Sequence, residues 1–210
     1  MLYHCLLVGL QDLSPEAKQK LTADELETQI RENLSSSDLK AFDLLCMKAE
    51  NDEEALLMYQ KGMASKNAFV RDWFAFNLNL NNILTAAICR KHGFNVRKAI
   101  VGEGEVQDAL RTSNAKDFGL SATLPEIDDI LRLSEVEDLY EREKKTDALR
   151  WAWLEDRTLF NYFEAENVFA YWLEAQMLNR WNILNKEEGA RIFRELIADM
   201  KRDIHFDKNK

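Results

Sequence analysis

The chain has 210 residues, of which 46% are hydrophobic and 31% are charged, and this composition is typical of a globular protein rather than a disordered one. Its net charge is −9 and its Lys and Arg residues are dispersed. Such a chain repels phosphate backbones and anionic lipid headgroups, which argues against general nucleic-acid binding. Only two prolines and seven glycines occur. Because these residues break helices and populate turns, their scarcity predicts an all-α fold.

Cysteine usage and the N-terminal segment indicate where the chain works. Cys5, Cys46 and Cys89 are far apart and form no CxxC pair, as expected in a reducing cytosol. The apolar stretch Leu2–Leu10 lacks a basic lead and is too short to cross a bilayer. We therefore expect a soluble, cytoplasmic protein. The same stretch fits either a helix or a strand, so its structure and orientation stay open.

The first third of the chain carries several helix start signals. Thr22–Glu25 matches a capping box and is expected to open an amphipathic helix. Ser35–Ser37 ends that helix and caps the next one, whose apolar residues recur at helical spacing. Asn51 is expected to cap a further helix, which stops at Gly62.

The strongest helical pattern runs from Asn67 to about Lys91 and ends at His92–Gly93, where glycine can adopt a positive φ. At 1.5 Å per residue, such a helix is roughly 37 Å long. Shorter helices are expected between Phe94 and Leu124. The remaining predicted helices begin at Pro125, at a second capping box Ser134–Glu137, at Glu164 and at Lys186.

A self-similarity relates two of these predicted helices. Residues 67–84 and 167–184 align without a gap at an offset of 100 residues and share eight identical positions, three of them asparagine. Duplicated helical units of this kind bury their faces against each other, and chance similarity between amphipathic helices is the alternative. We expect a single helical domain, 1–210, built from two pseudo-symmetric repeat units of about 1–118 and 119–210.

Matched asparagines mark the two aligned helices. Asn79 and Asn82 are three residues apart, as are Asn179 and Asn182, so each pair lies on one helix face. A buried amide that lacks partners costs about 1–3 kcal/mol. We therefore predict that these asparagines bridge neighbouring helices within each unit. A direct role in binding a partner is the alternative.

A family resemblance follows from the same region. The long helix with the run Asn79-x-x-Asn82-Ile-Leu, followed by the basic stretch Cys89–Phe94, resembles the repeated unit of the C/d-type subunit of V-type and A-type ATPases, which is called C in one nomenclature and d in eukaryotes. Residues 171–197 resemble the last unit of that protein. The opening Tyr3–Leu13 is similar to the N-terminus of a bacterial uncharacterised family encoded beside V-type ATPase genes.

The resemblance implies a fold like that of the V-type ATPase C/d-type subunit and a mechanical role. In that family, this subunit seats the central stalk of the rotary ATPase, which performs proton or sodium transport, on the membrane ring of proteolipid subunits. The resemblance therefore implies protein partners, no catalysis, no cofactor and a peripheral place at the inner membrane. The C/d-type subunit has three units, whereas this chain has room for about two, so an incomplete socket is implied.

Patterns that carry chemistry are scarce in this sequence. His4, His92 and His205 are scattered, and no HExxH or Cys/His cluster occurs, so zinc and di-iron sites lack their ligands. Val101–Glu105 is rich in glycine but lacks the other residues of a phosphate-binding loop, and a turn is the expected structure. We therefore predict no catalytic, cofactor-binding or metal-binding residue. An unrecognised enzyme site is the alternative.

Aromatic residues crowd the long predicted helices. Neighbours such as Trp73 and Phe74, or Trp151 and Trp153, cannot all point to one side of a helix. Core packing and partner contact both stay open for these side chains. The candidate interface or repeat residues are Asn79, Asn82, Asn179, Asn182, Trp73, Trp151, Trp172 and Trp181. A helical adaptor that binds another protein, unrelated to the ATPase, is the alternative function.

Overall fold

Helices make up all the regular structure in the described part of the chain. The computed structural model describes residues 3–14, 23–160 and 163–183. Within these ranges there are ten helices and no strand, so the predicted all-α class is confirmed. The helices are α1 His4–Gly9, α2 Ala23–Asn33, α3 Ser36–Leu45, α4 Asp52–Met63, α5 Ala68–His92, α6 Val96–Ala99, α7 Glu105–Thr112, α8 Ile127–Ser134, α9 Leu139–Thr158 and α10 Ala165–Ile183.

Side-chain caps confirm three of the predicted helix starts. Ser35 before α3, Asn51 before α4 and Asn67 before α5 each accept a hydrogen bond from the backbone N–H three residues further on, at 3.2, 2.9 and 3.0 Å. Each cap satisfies a backbone donor that has no partner within its own helix. The predicted capping residue Thr22 lies outside the described residues, as does the predicted helix that begins at Lys186.

The predicted capping box at Ser134–Glu137 is wrong. Ser134 is the last residue of α8, and its hydroxyl donates to Leu131 O at 2.7 Å instead of capping a new helix. α9 begins after Asp138, whose side chain accepts a hydrogen bond from Glu141 N–H at 2.8 Å. Leu133 is buried in the core, and this burial keeps the last turn of α8 helical. The helix therefore continues through Ser134, and the second residue with capping chemistry, Asp138, begins the next helix.

The α5 helix forms the centre of the described fold and is its longest helix. Its bounds agree with the predicted pattern to within one residue at each end. It ends at Gly93, whose φ of 72° is left-handed and costs glycine no steric strain. Along its length α5 packs against α3, α4, α6, α7 and α8. Residues from many parts of the chain therefore meet on this one helix.

The larger of the two hydrophobic core clusters found among the described residues brings distant segments of the chain together. This aromatic cluster consists of the buried apolar residues of α1, α2 and α3, of the first part of α5 up to Phe74, and of α9 and α10. Phe42 lies 6.2 Å from Phe169 and 5.4 Å from Trp172, between ring centroids. Large rings bury much apolar area, so these contacts hold α3 against α10.

The second cluster is local in sequence and mainly aliphatic. This aliphatic cluster consists of the buried apolar residues of α5 from Leu80 to Ala86 and those between Ile100 and Leu133, with Phe118 as its one buried aromatic ring among the described residues. The half-buried Phe76 packs against both clusters. The two clusters therefore meet at the middle of α5.

The two helices aligned by self-similarity have different neighbours among the described residues. α5 spans both clusters, whereas α10 packs against α2, α3 and α9 within the aromatic cluster. Asn67 caps α5, but its counterpart Asn167 lies inside the first turn of α10. The division into units of 1–118 and 119–210 stays a prediction, as does the single domain. Residues 184–210 of the second unit lie outside the described residues.

Candidate functional site

A groove opens beside the middle of α5, where the two clusters meet. We call it the seam groove, and its volume is about 330 Å³. Its walls come from α5, from the segment that leads into α8, from α8 itself and from α9. Residues of both clusters therefore face the same space. The lining residues are Asp72, Ala75, Phe76, Asn79, Leu80, Ile83, Leu124, Glu126, Ile130, Trp153 and Arg157.

Phe76 and Trp153 form an aromatic wall of the seam groove. Their ring centroids are 5.2 Å apart and their planes differ by 17°, so the rings stack. Trp73 supports Trp153 from the core at a centroid distance of 5.5 Å. Both wall residues are only half-buried. Stacked, half-exposed rings with few rotatable bonds provide a rigid apolar surface of the kind that anchors partner side chains.

Charged side chains border this apolar floor. Arg157 on α9 forms an ion pair with Asp72 on α5, and its guanidinium also lies over the Trp153 ring at 5.3 Å. Glu126, directly before α8, is a second carboxylate in the lining. An apolar floor with a polar border is found at protein–protein interfaces and also at small-molecule sites.

Asp147 on α9 is a buried carboxylate with three hydrogen-bond donors. It is 5% exposed. One oxygen accepts from Arg150 Nη1 at 2.8 Å, and the other accepts from Trp181 Nε1 at 2.8 Å and from Arg180. A buried carboxylate requires such partners because an uncompensated charge is costly in an apolar interior. These bonds fix α10 against α9.

Arg150 extends the same network onto α5 and α4. Its Nε donates to Asn77 Oδ1 at 2.8 Å and its Nη2 donates to Asn81 Oδ1 at 3.2 Å. Asn81 Nδ2 in turn donates to the Tyr59 hydroxyl at 2.8 Å, and burial raises the pKa of Tyr59. This Asp147 network links four helices through directional bonds and lies at the level of α5 where the clusters meet. It therefore fixes the geometry of the seam.

The candidate asparagines on α5 bridge to the segment between α6 and α7 and to α7 itself. Asn82 is buried, and its amide both donates to Val101 O at 2.8 Å and accepts from Val101 N–H at 3.0 Å. Asn79 Oδ1 accepts from Gln107 Nε2 at 2.9 Å. We call the two bonds to Val101 the Asn82 clamp. They satisfy both backbone polar groups of that residue, which holds the loop firmly onto α5.

The candidate asparagines on α10 have a different environment. Asn179 Nδ2 is buried and makes no hydrogen bond, in contrast to the paired amide of Asn79 at the matched position. The side chain of Asn182 lies outside the described residues. On α5, Asn79 bonds to the neighbouring helix α7 and Asn82 bonds to a loop, and the bridging role within two repeat units stays a prediction.

The candidate tryptophans lie in or beside the aromatic cluster. Trp73, Trp151 and Trp172 are buried members of it. Trp181 is half-buried, packs edge-on against Tyr140 at 5.2 Å and donates to Asp147. A role for these four rings in partner contact stays a prediction. The structure places a different tryptophan, Trp153, in the wall of the seam groove.

One carboxyl group of α10 has a strongly altered acidity. Burial, and secondarily the nearby Glu155 carboxylate, raise the pKa of Glu174 from 4.5 to about 8. Both effects disfavour the ionised form. Glu155 itself accepts a hydrogen bond from Trp151 Nε1 at 3.0 Å. Glu174 is therefore largely protonated at neutral pH.

The histidines do not come together in the described structure. His4 packs beside Phe163 with ring centroids 4.5 Å apart, and His92 lies 6.1 Å from Phe94. His205 lies outside the described residues. In the ranges that the structure describes, no group of three or more His, Cys, Asp or Glu side chains is arranged to hold a metal ion.

Sequence reasoning missed the Asp147 network. The segment before it, Tyr140–Lys145, is highly charged and predicts a solvated face, from which Asp147 does not stand out. A signal is nevertheless present, because Asp147, Trp151 and Leu154 recur at spacings of four and three and therefore share one face of α9. A charged residue on the apolar stripe of a helix indicates a buried, paired group.

Fold and groove together define an all-helical protein whose candidate site is a crevice between two hydrophobic clusters. None of the described helices combines the length and the apolar character needed to traverse a bilayer. The chain belongs to the family described as Protein of unknown function (DUF2764), whose model matches residues 1–58 and 50–204. Comparisons with curated proteins and with solved structures give no match.

Proposed function

We propose that this protein is a non-catalytic docking subunit or accessory protein of a V/A-type rotary ATPase, with a role like that of the C/d-type subunit, by which the central stalk is coupled to the membrane rotor ring. The proposal depends on the resemblance of residues 67–94, the α5 helix and its basic end, to the repeated unit of that subunit. The family match itself assigns no activity.

The construction of the described fold supports a mechanical role. A coupling part has to transmit force through packed helices without bending. α5 has 25 residues and runs through both hydrophobic clusters. The Asp147 network and the Asn82 clamp attach it to its neighbours through directional hydrogen bonds. Buried polar networks whose members are all paired make a fold rigid.

The pseudo-symmetric repeat is part of the same proposal. Phe69 on α5 and Phe169 on α10 occupy matched positions, and their ring centroids lie 6.1 Å apart. Contact between matched residues is expected close to a pseudo-two-fold axis. Two such units, in place of the three of the C/d-type subunit, would form a partial socket in which the seam groove is one partner-facing surface.

Affinity purification from the native cells tests the proposal. The tagged full-length chain, released in mild detergent, is expected to carry stalk and proteolipid-ring subunits that native mass spectrometry identifies. Glu126→Arg reverses a charge in the seam groove and is expected to weaken the association. The matched control, Glu53→Arg, places the same change on an exposed residue of α4 outside the groove lining. Absence of every ATPase subunit from the wild-type preparation rejects the proposal.

A helical adaptor unrelated to the ATPase is the second candidate, and the seam groove is the observation that supports it. An apolar floor with a charged border suits an amphipathic helix from any partner. The same purification separates the two candidates. A reproducible, stoichiometric partner from outside the ATPase, which Glu126→Arg releases and Glu53→Arg does not, favours the adaptor.

A further inference from the structure

A second surface, separate from the seam groove lining, lies where α5 turns into α6. We call it the basic corner, and it consists of Lys91, His92, Phe94, Arg97 and Lys98. All five side chains are exposed, and Phe94 is 67% exposed, an unusual position for a phenylalanine ring. A large, exposed apolar side chain that is flanked in the sequence by exposed basic residues is a feature that requires an explanation.

The backbone fixes the position of Phe94. Gly93 adopts the left-handed conformation at φ 72°, and the Phe94 N–H bonds to Cys89 O at 2.8 Å in the cap of α5. The His92 ring packs beside Phe94 with a centroid distance of 6.1 Å. The exposed ring therefore sits on a defined helix end and not on a free loop.

Arginine side chains fasten the segments around the basic corner. Arg90 stacks on the buried Phe118 ring at 3.6 Å and donates to the Ala115 carbonyl at 2.6 Å. Arg97 Nε donates to Arg111 O at 3.1 Å, which ties α6 to α7. Such bonds to backbone carbonyls keep the corner in one arrangement, so little conformational entropy is lost when a partner binds.

The charge of the basic corner is opposite to that of the whole chain. Residues 90–98 contain four Lys and Arg residues and no acidic residue, so a net charge of −9 for the chain leaves −13 for the remainder. Lys91 Nζ lies 3.6 Å from Glu135, an exposed contact that neutralises little. The carboxylate of Asp117, in the segment that Arg90 contacts, is engaged within its own segment, because it accepts hydrogen bonds from Ser121 and Gly119.

We propose that the basic corner binds a short acidic segment of a partner protein that also carries an apolar side chain, with Phe94 as the apolar anchor and Lys91 and Lys98 as the charge contacts. This proposal rests on the docking role proposed above and names the chemistry of one contact. Aromatic and basic side chains together are typical of interface anchors. Opposite charges also speed the encounter and orient the partner.

The charge distribution favours a protein segment over an extended anionic surface. A bilayer or a nucleic-acid duplex that approaches the corner also faces the chain outside residues 90–98, whose net charge of −13 repels it. A short acidic segment touches only the corner. Charges beyond about 8 Å are largely screened at physiological salt, so the segment is attracted locally without strong repulsion from the remainder.

The test uses the full-length protein and two variants with matched controls. The probe is a fluorescein-labelled helical peptide that is rich in glutamate and has a stripe of leucines, and its binding is followed by fluorescence anisotropy at low and physiological salt. Phe94→Ala and Lys98→Glu are the corner variants. Phe160→Ala and Lys61→Glu apply the same changes at exposed positions of α9's C-terminal flank and of α4. Circular dichroism verifies that all four remain folded.

We expect binding that weakens with salt, a loss of about tenfold in affinity for each corner variant, which is the scale of one anchor contact, and no change for the controls. No binding by the wild type, or equal binding by the corner variants, overturns the proposal. Equal or stronger binding to phosphatidylserine vesicles, lost in the same variants, overturns it in favour of a membrane contact.

The native purification separates this inference from the proposed function. If the wild type carries ATPase subunits and the corner variants retain them fully, the basic corner is not the contact, although the proposed function stands. If the wild type carries no ATPase subunit and yet binds the acidic peptide through the corner, the proposed function fails and the inference stands.

Discussion

The aromatic and aliphatic clusters differ in how far apart their residues lie in the sequence. The aliphatic cluster takes its buried residues from one continuous stretch, residues 80–133. The aromatic cluster takes its residues from Tyr3 at one end to Leu178 at the other, and most of the large buried rings belong to it. One cluster can therefore form from local contacts, whereas the other requires the two ends of the described chain to meet.

This difference explains where the polar contacts lie. Local packing along a continuous stretch needs few additional constraints, and the aliphatic cluster is fastened mainly by the Asn82 clamp and by arginine bonds to backbone carbonyls. Closing a long loop costs more entropy. The Asp147 network joins α4, α5, α9 and α10, and three of these helices supply buried residues to the aromatic cluster.

The largest expected effect comes from removing the centre of that network. Asp147→Ala leaves Arg150 without its buried carboxylate, and breaking a buried ion pair in this way costs about 3–5 kcal/mol. Urea unfolding followed by circular dichroism measures the loss. The control Asp129→Ala removes an exposed ion pair with Arg132 and should cost less than about 0.5 kcal/mol. Equal losses for the two variants contradict the central role of Asp147.

A matched leucine pair compares the two clusters directly. Leu154 in the aromatic cluster and Leu110 in the aliphatic cluster are 0% and 1% exposed. Substitution of either leucine by alanine is expected to cost about 3 kcal/mol, because each leaves a cavity. Amide hydrogen exchange should then distinguish the two variants by which residues lose protection. Leu110→Ala should accelerate exchange mainly within residues 80–133, and Leu154→Ala at both ends of the described chain. Identical exchange maps would show that the two clusters unfold as one unit.

The acidity of Glu174 gives the aromatic cluster a pH dependence. In the folded state the Glu174 carboxyl keeps its proton up to a pH of about 8, whereas in the unfolded chain it loses it near 4.5. Its contribution to stability is therefore present below pH 4.5 and is lost as the pH rises towards 8. Glu174→Gln removes this loss, so it should raise the free energy of unfolding increasingly as the pH rises from 4.5 to 8 and have little effect at pH 4.5.

Denaturant titrations across this pH range measure the effect. Glu155→Gln removes only the secondary cause of the raised pKa of Glu174. We therefore expect a smaller increase in the free energy of unfolding, with the same dependence on pH. A pH-independent gain for Glu174→Gln would show that the carboxyl ionises normally in the fold.

The smallest effect is expected from the clamp on the aliphatic side. Asn82→Ala leaves the N–H and the C=O of Val101 without their partner, which should cost about 1–2 kcal/mol. The exposed Asn114→Ala serves as the control. Thermal unfolding gives the stability difference, and exchange at the Val101 amide should increase specifically. Unchanged protection of that amide would contradict the clamp.

Local signals predict much of the fold because they act within one or two turns. Asn51 and Asn67 cap their helices as expected, and Gly93 ends α5, since these effects depend only on nearby backbone groups. Ser134 and Asp138 both have cap chemistry, and burial of Leu133 decides between them. That decision depends on tertiary packing, which a local pattern does not contain.

The candidate site is less predictable than the fold. The matched spacing points to Asn79 and Asn82, and both side chains do bond across to neighbouring segments. No local pattern predicts the seam groove, because Phe76, Ile130 and Trp153 are far apart in sequence and meet only after the clusters pack. Periodicity shows which face of a helix is buried but not which distant face it meets.

The seam groove has a thermodynamic consequence, because its walls belong to two separately built halves. Trp153 packs with the aromatic cluster, while Ile83 and Ile130 belong to the aliphatic one. A ligand bound in the groove contacts residues of both clusters. Its binding free energy is therefore coupled to the free energy of packing between the two clusters, and the coupling is reciprocal. Mutations that destabilise either cluster lower the affinity for the ligand, and a bound ligand raises the melting temperature of the protein. Binding of a ligand in the seam groove can therefore be detected as an increase in the temperature of thermal unfolding.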